Sequence, residues 1–254
     1  MKNFNDLLSQ EGPVLGLFLQ SPDPYIIEMA KLVGFDFIRI DNEHIPFDYS
    51  DIKKLVRTAN LLDTPVQVRV SNLEDITKLL DFGVTGIVVP NVNTVERAKE
   101  AISATKYYPL GARGMCPICR CVKISGYSPD EYFTVANDII CLNIQIEDIK
   151  AAEIIDEIVS LEGIDMISSG KADISQSAGI PGQTNEKKVI EMEDLIIKKS
   201  LEYGKQPVIM VNSRDRIKEL LERGERFFSV GPDYEIFLKS FKDTISEFKD
   251  NLII

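Results

Sequence analysis

Five side chains in this sequence could act together on a carbonyl compound. Asp41 and His44 stand three apart in Ile40-Asp41-Asn42-Glu43-His44, and His44 is the only histidine in the chain. An imidazole moves protons near neutral pH, and acids one and three residues before it can fix its tautomer and raise its basicity. A structural imidazole held at a strand end fits the same spacing. Arg69 lies inside the apolar run Val66-Gln67-Val68-Arg69-Val70. A guanidinium there costs several kcal/mol (~3–5) unless it is paired or reaches an anionic ligand. An internal salt bridge to Asp41 or Glu147 would satisfy it as well as a substrate would.

Glu147 ends an apolar run, and Ser168-Ser169-Gly170-Lys171-Ala172 leads into Asp173 after the next one. On successive parallel strands the two carboxylates would meet at one rim. Two hard oxygen donors without a second histidine or a nearby thiol suit Mg²⁺ or Mn²⁺. Each also has an ordinary reading, Asp173 as a helix N-cap and Glu147 as an acid in a first helical turn. Asp81, in Leu79-Leu80-Asp81-Phe82-Gly83, is either a second partner for His44 or a solvated residue at a helix end. Small residues around Gly170 and in Ile180-Pro181-Gly182 could turn backbone N–H groups towards a carboxylate. Lys171 could form a Schiff base with a keto acid, or be a solvated loop lysine. Cys116, Cys119 and Cys121, with Cys141 distant, match no zinc or iron–sulfur spacing, and free loop thiols are the default expectation. There is no P-loop, nucleophile elbow or zinc-protease signature.

Positioning these groups requires a rigid scaffold. About eight short β-branched runs alternate with stretches of helical periodicity, which implies repeated βα units and a parallel sheet. The strand candidates are Val14–Leu19, Phe35–Ile40, Val66–Val70, Gly86–Val89, Ile139–Ile146, Asp165–Ser169, Pro207–Val211 and Phe227–Val230. Helices are expected over Pro24–Leu32, Tyr49–Leu61, Glu74–Leu80, Val95–Thr105, Ile149–Leu161, Glu186–Tyr203, Arg214–Glu222 and Tyr234–Phe248. Asp23, Asp48, Thr94 and Ser213 are candidate caps. Tyr107–Asn137 fits neither pattern and reads as an elaborated, functional loop. Eight units close a (β/α)8 TIM barrel, whose reacting groups sit where strands end. The alternative, an open doubly wound sheet, usually carries a Gly-rich turn after its first strand, and Leu17-Phe18-Leu19-Gln20-Ser21-Pro22 has none.

The 254 residues are accommodated by a single domain spanning 1–254. A net charge of −11 disfavours nucleic acid and anionic membranes as partners. The first residues lack the apolar core of a signal peptide and no run is long enough to span a bilayer, so a cytoplasmic protein is expected.

The segments Gly34-Phe35-Asp36-Phe37-Ile38, Asp41-Asn42-Glu43-His44, Val68-Arg69, Leu79-Leu80-Asp81-Phe82-Gly83, Val89-Pro90, Gly111-Ala112-Arg113-Gly114, Ile146-Glu147 and Gly170-Lys171-Ala172-Asp173-Ile174-Ser175 occur in this order. Together, from about Gly16 to Phe237, they resemble the HpcH/HpaI aldolases, metal-dependent pyruvate aldolases related to the phosphoenolpyruvate/pyruvate barrels. The resemblance implies reversible retro-aldol cleavage of a 4-hydroxy-2-oxo acid to pyruvate and an aldehyde. It implies Glu147 and Asp173 as ligands of Mg²⁺, Mn²⁺ or Co²⁺, and Arg69 on the keto oxygen and enolate. His44 would transfer protons with Asp81 or Asp41, and backbone groups at Gly170, Ala172 and Asp173 would hold the substrate carboxylate. It further implies trimers or hexamers in which the last helix is swapped between subunits and Asp81 serves a neighbouring site.

Two departures stand out. Lys171 replaces a usual proline, and Cys116-Pro117-Ile118-Cys119 replaces small or glycine-rich residues. Three alternatives accompany the aldolase reading: a citrate-forming or other enolate condensation of the siderophore-synthase type, a Schiff-base aldolase at Lys171, and a non-catalytic oligomeric binding protein.

Overall fold

A computed structural model describes residues 2–250. Eight strands form a closed parallel barrel in chain order: β1 (Val14–Leu19), β2 (Phe37–Asp41), β3 (Val66–Arg69), β4 (Gly86–Val89), β5 (Cys141–Ile146), β6 (Met166–Ser169), β7 (Gln206–Val211) and β8 (Phe227–Val230). β8 pairs with β1 to close the ring. The TIM-barrel reading of the sequence therefore holds. Most strand residues are buried whichever face they occupy, because one face meets the helices and the other lines the barrel.

The helices are α1 (Phe4–Leu8), α2 (Pro24–Val33), α3 (Tyr49–Leu61), α4 (Ile76–Asp81), α5 (Val95–Thr105), α6 (Arg120–Ser125), α7 (Pro129–Ile139), α8 (Ile149–Glu153), α9 (Ile155–Val159), α10 (Lys171–Ser177), α11 (Lys187–Glu202), α12 (Arg214–Glu222) and α13 (Asp233–Asp250). Asp23, Asp48, Thr94 and Ser213 each accept a backbone N–H in the first turn of α2, α3, α5 and α12. These are the capping bonds that their residue types favour.

Four local expectations change. The short α1 plugs the barrel floor, where Phe4 meets Phe37 edge-on at 5.5 Å. Phe4 and Leu7 are fully buried, and burial of each such side chain stabilises by about 1.5–3 kcal/mol. The 107–137 segment is not one loop but carries α6 and most of α7, the latter started by a capping box between Ser128 and Glu131. The helix expected over 149–161 breaks at Ile154, whose ψ of 21° leaves helical geometry. Finally, α10 begins directly after β6, so Gly170 is its N-cap and Asp173 lies in its first turn.

Barrel register explains which polar residues meet. Phe18 pairs with Arg39, Arg39 with Gln67, and Asp41 with Arg69. Since side chains alternate faces along a strand, Arg39 and Asp41 share a face with Gln67 and Arg69.

Candidate active site

The strongest contact at the rim joins β2 to β3. Arg69 donates from Nε and Nη2 to Asp41 Oδ1 at 3.0 and 2.8 Å, and its Nη1 lies 3.2 Å from Glu43. Asp41 also accepts from Gln20 Nε2 at 2.9 Å, at the end of β1. Gln20 is held in turn, because the backbone N–H groups of Gln20 and Ser21 donate to Asp233 at the start of α13. Asp41 is fully buried and Arg69 is 7 % exposed. Burial would lift the Asp41 carboxyl, but the adjacent Arg69 guanidinium and the hydrogen bonds from Gln20 and Arg69 hold it below the usual carboxylate value.

Glu147 follows β5 and is 4 % exposed. Asn91 N–H donates to its Oε2 at 2.8 Å, and the Gln145 side-chain amide donates to its Oε1. Asn91 adopts φ 56°, a left-handed conformation that asparagine tolerates, and so turns its N–H inward. Gly170 is required beside it, since a Cβ there would lie 2.6 Å from Glu147 Oε1. Burial raises the Glu147 pKa and the charges of Asp173 and Glu43 add to that, partly offset by the bonds from Asn91 and Gln145. Capping of α8 is performed by Asp148, which accepts from Lys150 N. Glu147 is thus free of the helix-start role open to it in the sequence.

Asp173 and Ala172 are exposed on the first turn of α10. Among the described residues, no Lys or Arg lies within salt-bridge distance of Glu147 or Asp173.

His44 is at the mouth, its side chain 60 % exposed, with Nε2 3.7 Å from Glu43. Its backbone N–H reaches Asp41 Oδ1 at 3.4 Å. A cleft of about 650 Å³ beside it is bordered by Glu43, His44, Pro46, Ser71 and Asp75. Asp81 is not brought to His44 within one chain. It ends α4, and its carboxylate accepts from Arg113 Nη2 at 2.8 Å. Lys171 Nζ lies 3.6 Å from Glu193, which also receives Arg216 Nη2 at 3.0 Å and Ser169 Oγ at 3.1 Å. This ammonium is engaged on the α11 side, away from Arg69.

Sequence reasoning missed Gln20, Asn91, Gln145 and Arg39 as parts of this network, and saw Glu43 only as a neighbour of His44 and not as a partner of Arg69. Arg39 donates to Ser168 Oγ at 3.2 Å and to Gln145 Oε1 across the barrel. The Arg39 and Arg69 guanidiniums lie 5.7 and 5.4 Å from the Phe18 ring centre. Burial, reinforced by Arg69, lowers the Arg39 pKa to about 9. A signal existed for Arg39 and Gln145. Arg39 and Asp41, Gln67 and Arg69, and Asn143, Gln145 and Glu147 repeat polar side chains every second position in otherwise apolar strands.

The arrangement matches known proteins along nearly its whole length. Residues 14–240 match the model of the family described as HpcH/HpaI aldolase/citrate lyase. The chain is 30% identical over 249 residues to 2-keto-3-deoxy-L-rhamnonate aldolase of Escherichia coli (strain K12), covering 97% of this chain and 92% of that protein. The solved citrate synthase SbnG superposes with a TM-score of 0.89 at 30% identity, covering 98% of each chain. An HpcH/HpaI aldolase from Desulfitobacterium hafniense DCB-2 superposes with a TM-score of 0.91 at 27% identity, covering 98% of this chain and 97% of that one. With the closed barrel and the matched span in agreement, this chain belongs to the HpcH/HpaI aldolase/citrate lyase family.

Proposed function

We propose that the protein is a divalent-metal-dependent carbon–carbon lyase that reversibly cleaves a 4-hydroxy-2-oxo acid to pyruvate and an aldehyde. The observation that carries this reading is a buried arginine at the strand ends together with two carboxylates, Glu147 and Asp173, that among the described residues have no Lys or Arg within salt-bridge distance. The donor set fits a hard divalent ion. Glu147 and Asp173 oppose each other electrostatically, both offer oxygen, and the missing side chain of Gly170 leaves room against Glu147. Mg²⁺, Mn²⁺ or Co²⁺ held there supplies Lewis-acid stabilisation of negative charge on the substrate.

The protein's own groups do the rest. Arg69, fixed by Asp41 and Glu43, directs guanidinium donors at the oxygen on which enolate charge develops. Backbone N–H groups at Gly170, Ala172 and Asp173 orient the substrate carboxylate. His44, beside Glu43, takes the proton of the aldol hydroxyl as the C3–C4 bond breaks. The electron pair passes to the enolate, and return of a proton to C3 gives pyruvate. Asp81 serves proton transfer in a neighbouring subunit's site. The enzyme acts in the cytoplasm as a homotrimer or hexamer built through α13, on small 2-oxo acids and aldehydes.

The test is NMR observation of pyruvate C3 hydrogen–deuterium exchange. Exchange is expected with added Mg²⁺ or Mn²⁺, to stop with chelator and to resume when the ion is restored. Chelator-insensitive exchange would sink the reading. Similarity to the citrate synthase SbnG supports a second reading, condensation of an acetyl-CoA enolate with oxaloacetate. Free CoA thiol released only when both are present would favour it.

A further inference from the structure

Three of the four cysteines gather where α6 begins, and the chemistry of the rim makes no use of them. Cys119 is the N-cap residue of this helix and Cys121 its second residue, and their Sγ atoms lie 3.0 Å apart. A disulfide brings two sulfurs to about 2.05 Å, so a movement of about 1 Å would join them. Cys119 is not pinned against that movement, because its side chain makes no capping bond to the first turn of α6.

The surroundings give the two sulfurs different roles. Arg113, 5 % exposed, donates Nη2 to Asp81 at 2.8 Å and brings the same nitrogen within 4.0 Å of Cys121 Sγ. Its buried Nε and Nη1 have no hydrogen-bond partner, and a buried guanidinium with idle donors favours negative charge beside it. The Tyr132 hydroxyl is hydrogen-bonded to Cys121 as well. A cysteine sulfur next to a guanidinium reacts as its thiolate. Cys119 is the opposite case, since burial and its bond to Cys121 push its thiol up to about 12. It therefore keeps its proton until the neighbouring sulfur has been oxidised. Access comes from one side: Cys121 is 4 % exposed but borders a cavity of about 80 Å³ shared with Ser125, Tyr127 and Tyr132. A water molecule takes about 30 Å³ of the liquid, so hydrogen peroxide fits there and a bulky oxidant does not.

We infer that Cys121 and Cys119 form a hydroperoxide-reactive thiol pair, Cys121 attacking the oxidant and Cys119 resolving the product to a disulfide. The Cys121 thiolate attacks one oxygen of the peroxide, the O–O bond breaks, and hydroxide leaves a sulfenic acid on Cys121. Cys119 then attacks the Cys121 sulfur, the S–O bond breaks, and the Cys119 proton departs with that oxygen as water. Two electrons pass from the two sulfurs to the peroxide. Neither Glu147 nor Asp173 takes part, and Asp81 stays with Arg113 throughout. Oxidation removes the sulfur charge facing Arg113 and leaves Asp81 as its salt-bridge partner.

Cys116 is the competitor to be separated, since its sulfur lies within 4.8 Å of that of Cys119. The full chain is reduced with a phosphine, freed of reductant, shown to carry four free thiols and treated with hydrogen peroxide. Alkylation after denaturation is expected to count two thiols, with an intact mass lower by two hydrogens, and fresh phosphine should restore all four. Trypsin cuts after Arg113, Arg120 and Lys123, so a bond between Cys119 and Cys121 joins peptide 114–120 to peptide 121–123. A Cys116 to Cys119 bond would leave those peptides separate. Cys116→Ser should still lose two thiols to the oxidant. Cys121→Ser should form no disulfide, and Cys119→Ser should stop at a sulfenic acid on Cys121 that dimedone traps. Circular dichroism melts establish that each variant is folded, and the peptide map of the unaltered chain needs no variant. Four thiols surviving excess peroxide overturn the inference. So do separate peptides in the oxidised chain, a disulfide lost with Cys116, or one that persists in Cys121→Ser.

Discussion

Arg39 illustrates how one side chain can be unfavourable for the fold and useful for the site. It is buried, its Nε has no hydrogen-bond partner, and among the described residues no carboxylate lies within salt-bridge distance of it. Its contact with Gln145 fixes that amide so that the oxygen faces Arg39 and the N–H₂ faces Glu147. Replacing a buried, unpaired charge by an apolar chain of similar length relieves desolvation, but it frees the amide to turn its oxygen against the carboxylate. Arg39→Met is therefore expected to leave the melting temperature unchanged or raise it, while metal affinity or turnover falls about 10–100-fold. Calorimetry together with a Mn²⁺ titration checks both halves. Asp41 gives a pH prediction with a definite sign. Its folded pKa lies below its unfolded one because Arg69 and Gln20 outweigh burial. The stabilisation is thus complete above the ordinary carboxylate value of about 3.9 and is lost as pH falls through the lower folded value. Urea midpoints measured from pH 6 downwards should fall in that acid window, and Asp41→Asn should be less stable at neutral pH with a flatter acid limb.

The loops and short helices after the strands set the geometry that single residues cannot. α10 starts without a spacer after β6, and Gly170 at its cap is the residue through which the chain passes against Glu147. Adding one methyl group there forces the carboxylate or the first turn of α10 to move. Gly170→Ala should cost on the order of 10²-fold in turnover, the scale at which a displacement of about 1 Å matters, with a much smaller change in melting temperature. Parallel measurement of exchange rate and thermal unfolding distinguishes this from general destabilisation. The β4 end works similarly, since the left-handed Asn91 aims its N–H at Glu147 and its side chain at Glu43. Two acids from different strands are thereby held by one loop residue.

Taken as a whole particle, the barrel buries three apolar clusters while most of α13 beyond Asp233 and Phe237 stays outside them. Tyr234, Leu238, Phe241, Ile245 and Phe248 are between 49 and 66 % exposed on this helix. A face of this kind on an 18-residue helix is large for a monomer, and at a net charge of −11 it is not a surface that repulsion alone would protect. If α13 mediates the proposed assembly, Phe241→Glu with Ile245→Glu should reduce the mass measured by light scattering to that of one chain. The unfolding midpoint should then become less dependent on protein concentration. An unchanged mass would remove α13 from the interface. The start of α13 is also tied to the site, since Asp233 holds the backbone of Gln20 and Ser21.

Strand and helix alternation, the eightfold count and four helix starts were readable because each depends on neighbours within a few residues: apolar periodicity and capping are local physics. Asp41, Arg69, Glu147 and Asp173 stood out for the same local reason, a charge placed directly at or after an apolar run. What the linear chain could not show is which charge answers which. Arg39 reaches Gln145 across 106 positions, and Arg113 reaches Asp81 across 32. Asp81 faces two cysteines instead of the histidine of its own chain. Those pairings follow from the closed barrel, whose register aligns Phe18, Arg39 and Gln67 and brings Asp41 beside Arg69. Sequence supplied the chemistry of each side chain, and only barrel closure decided its partner, because distance in space is set by strand order and register, not by separation along the chain.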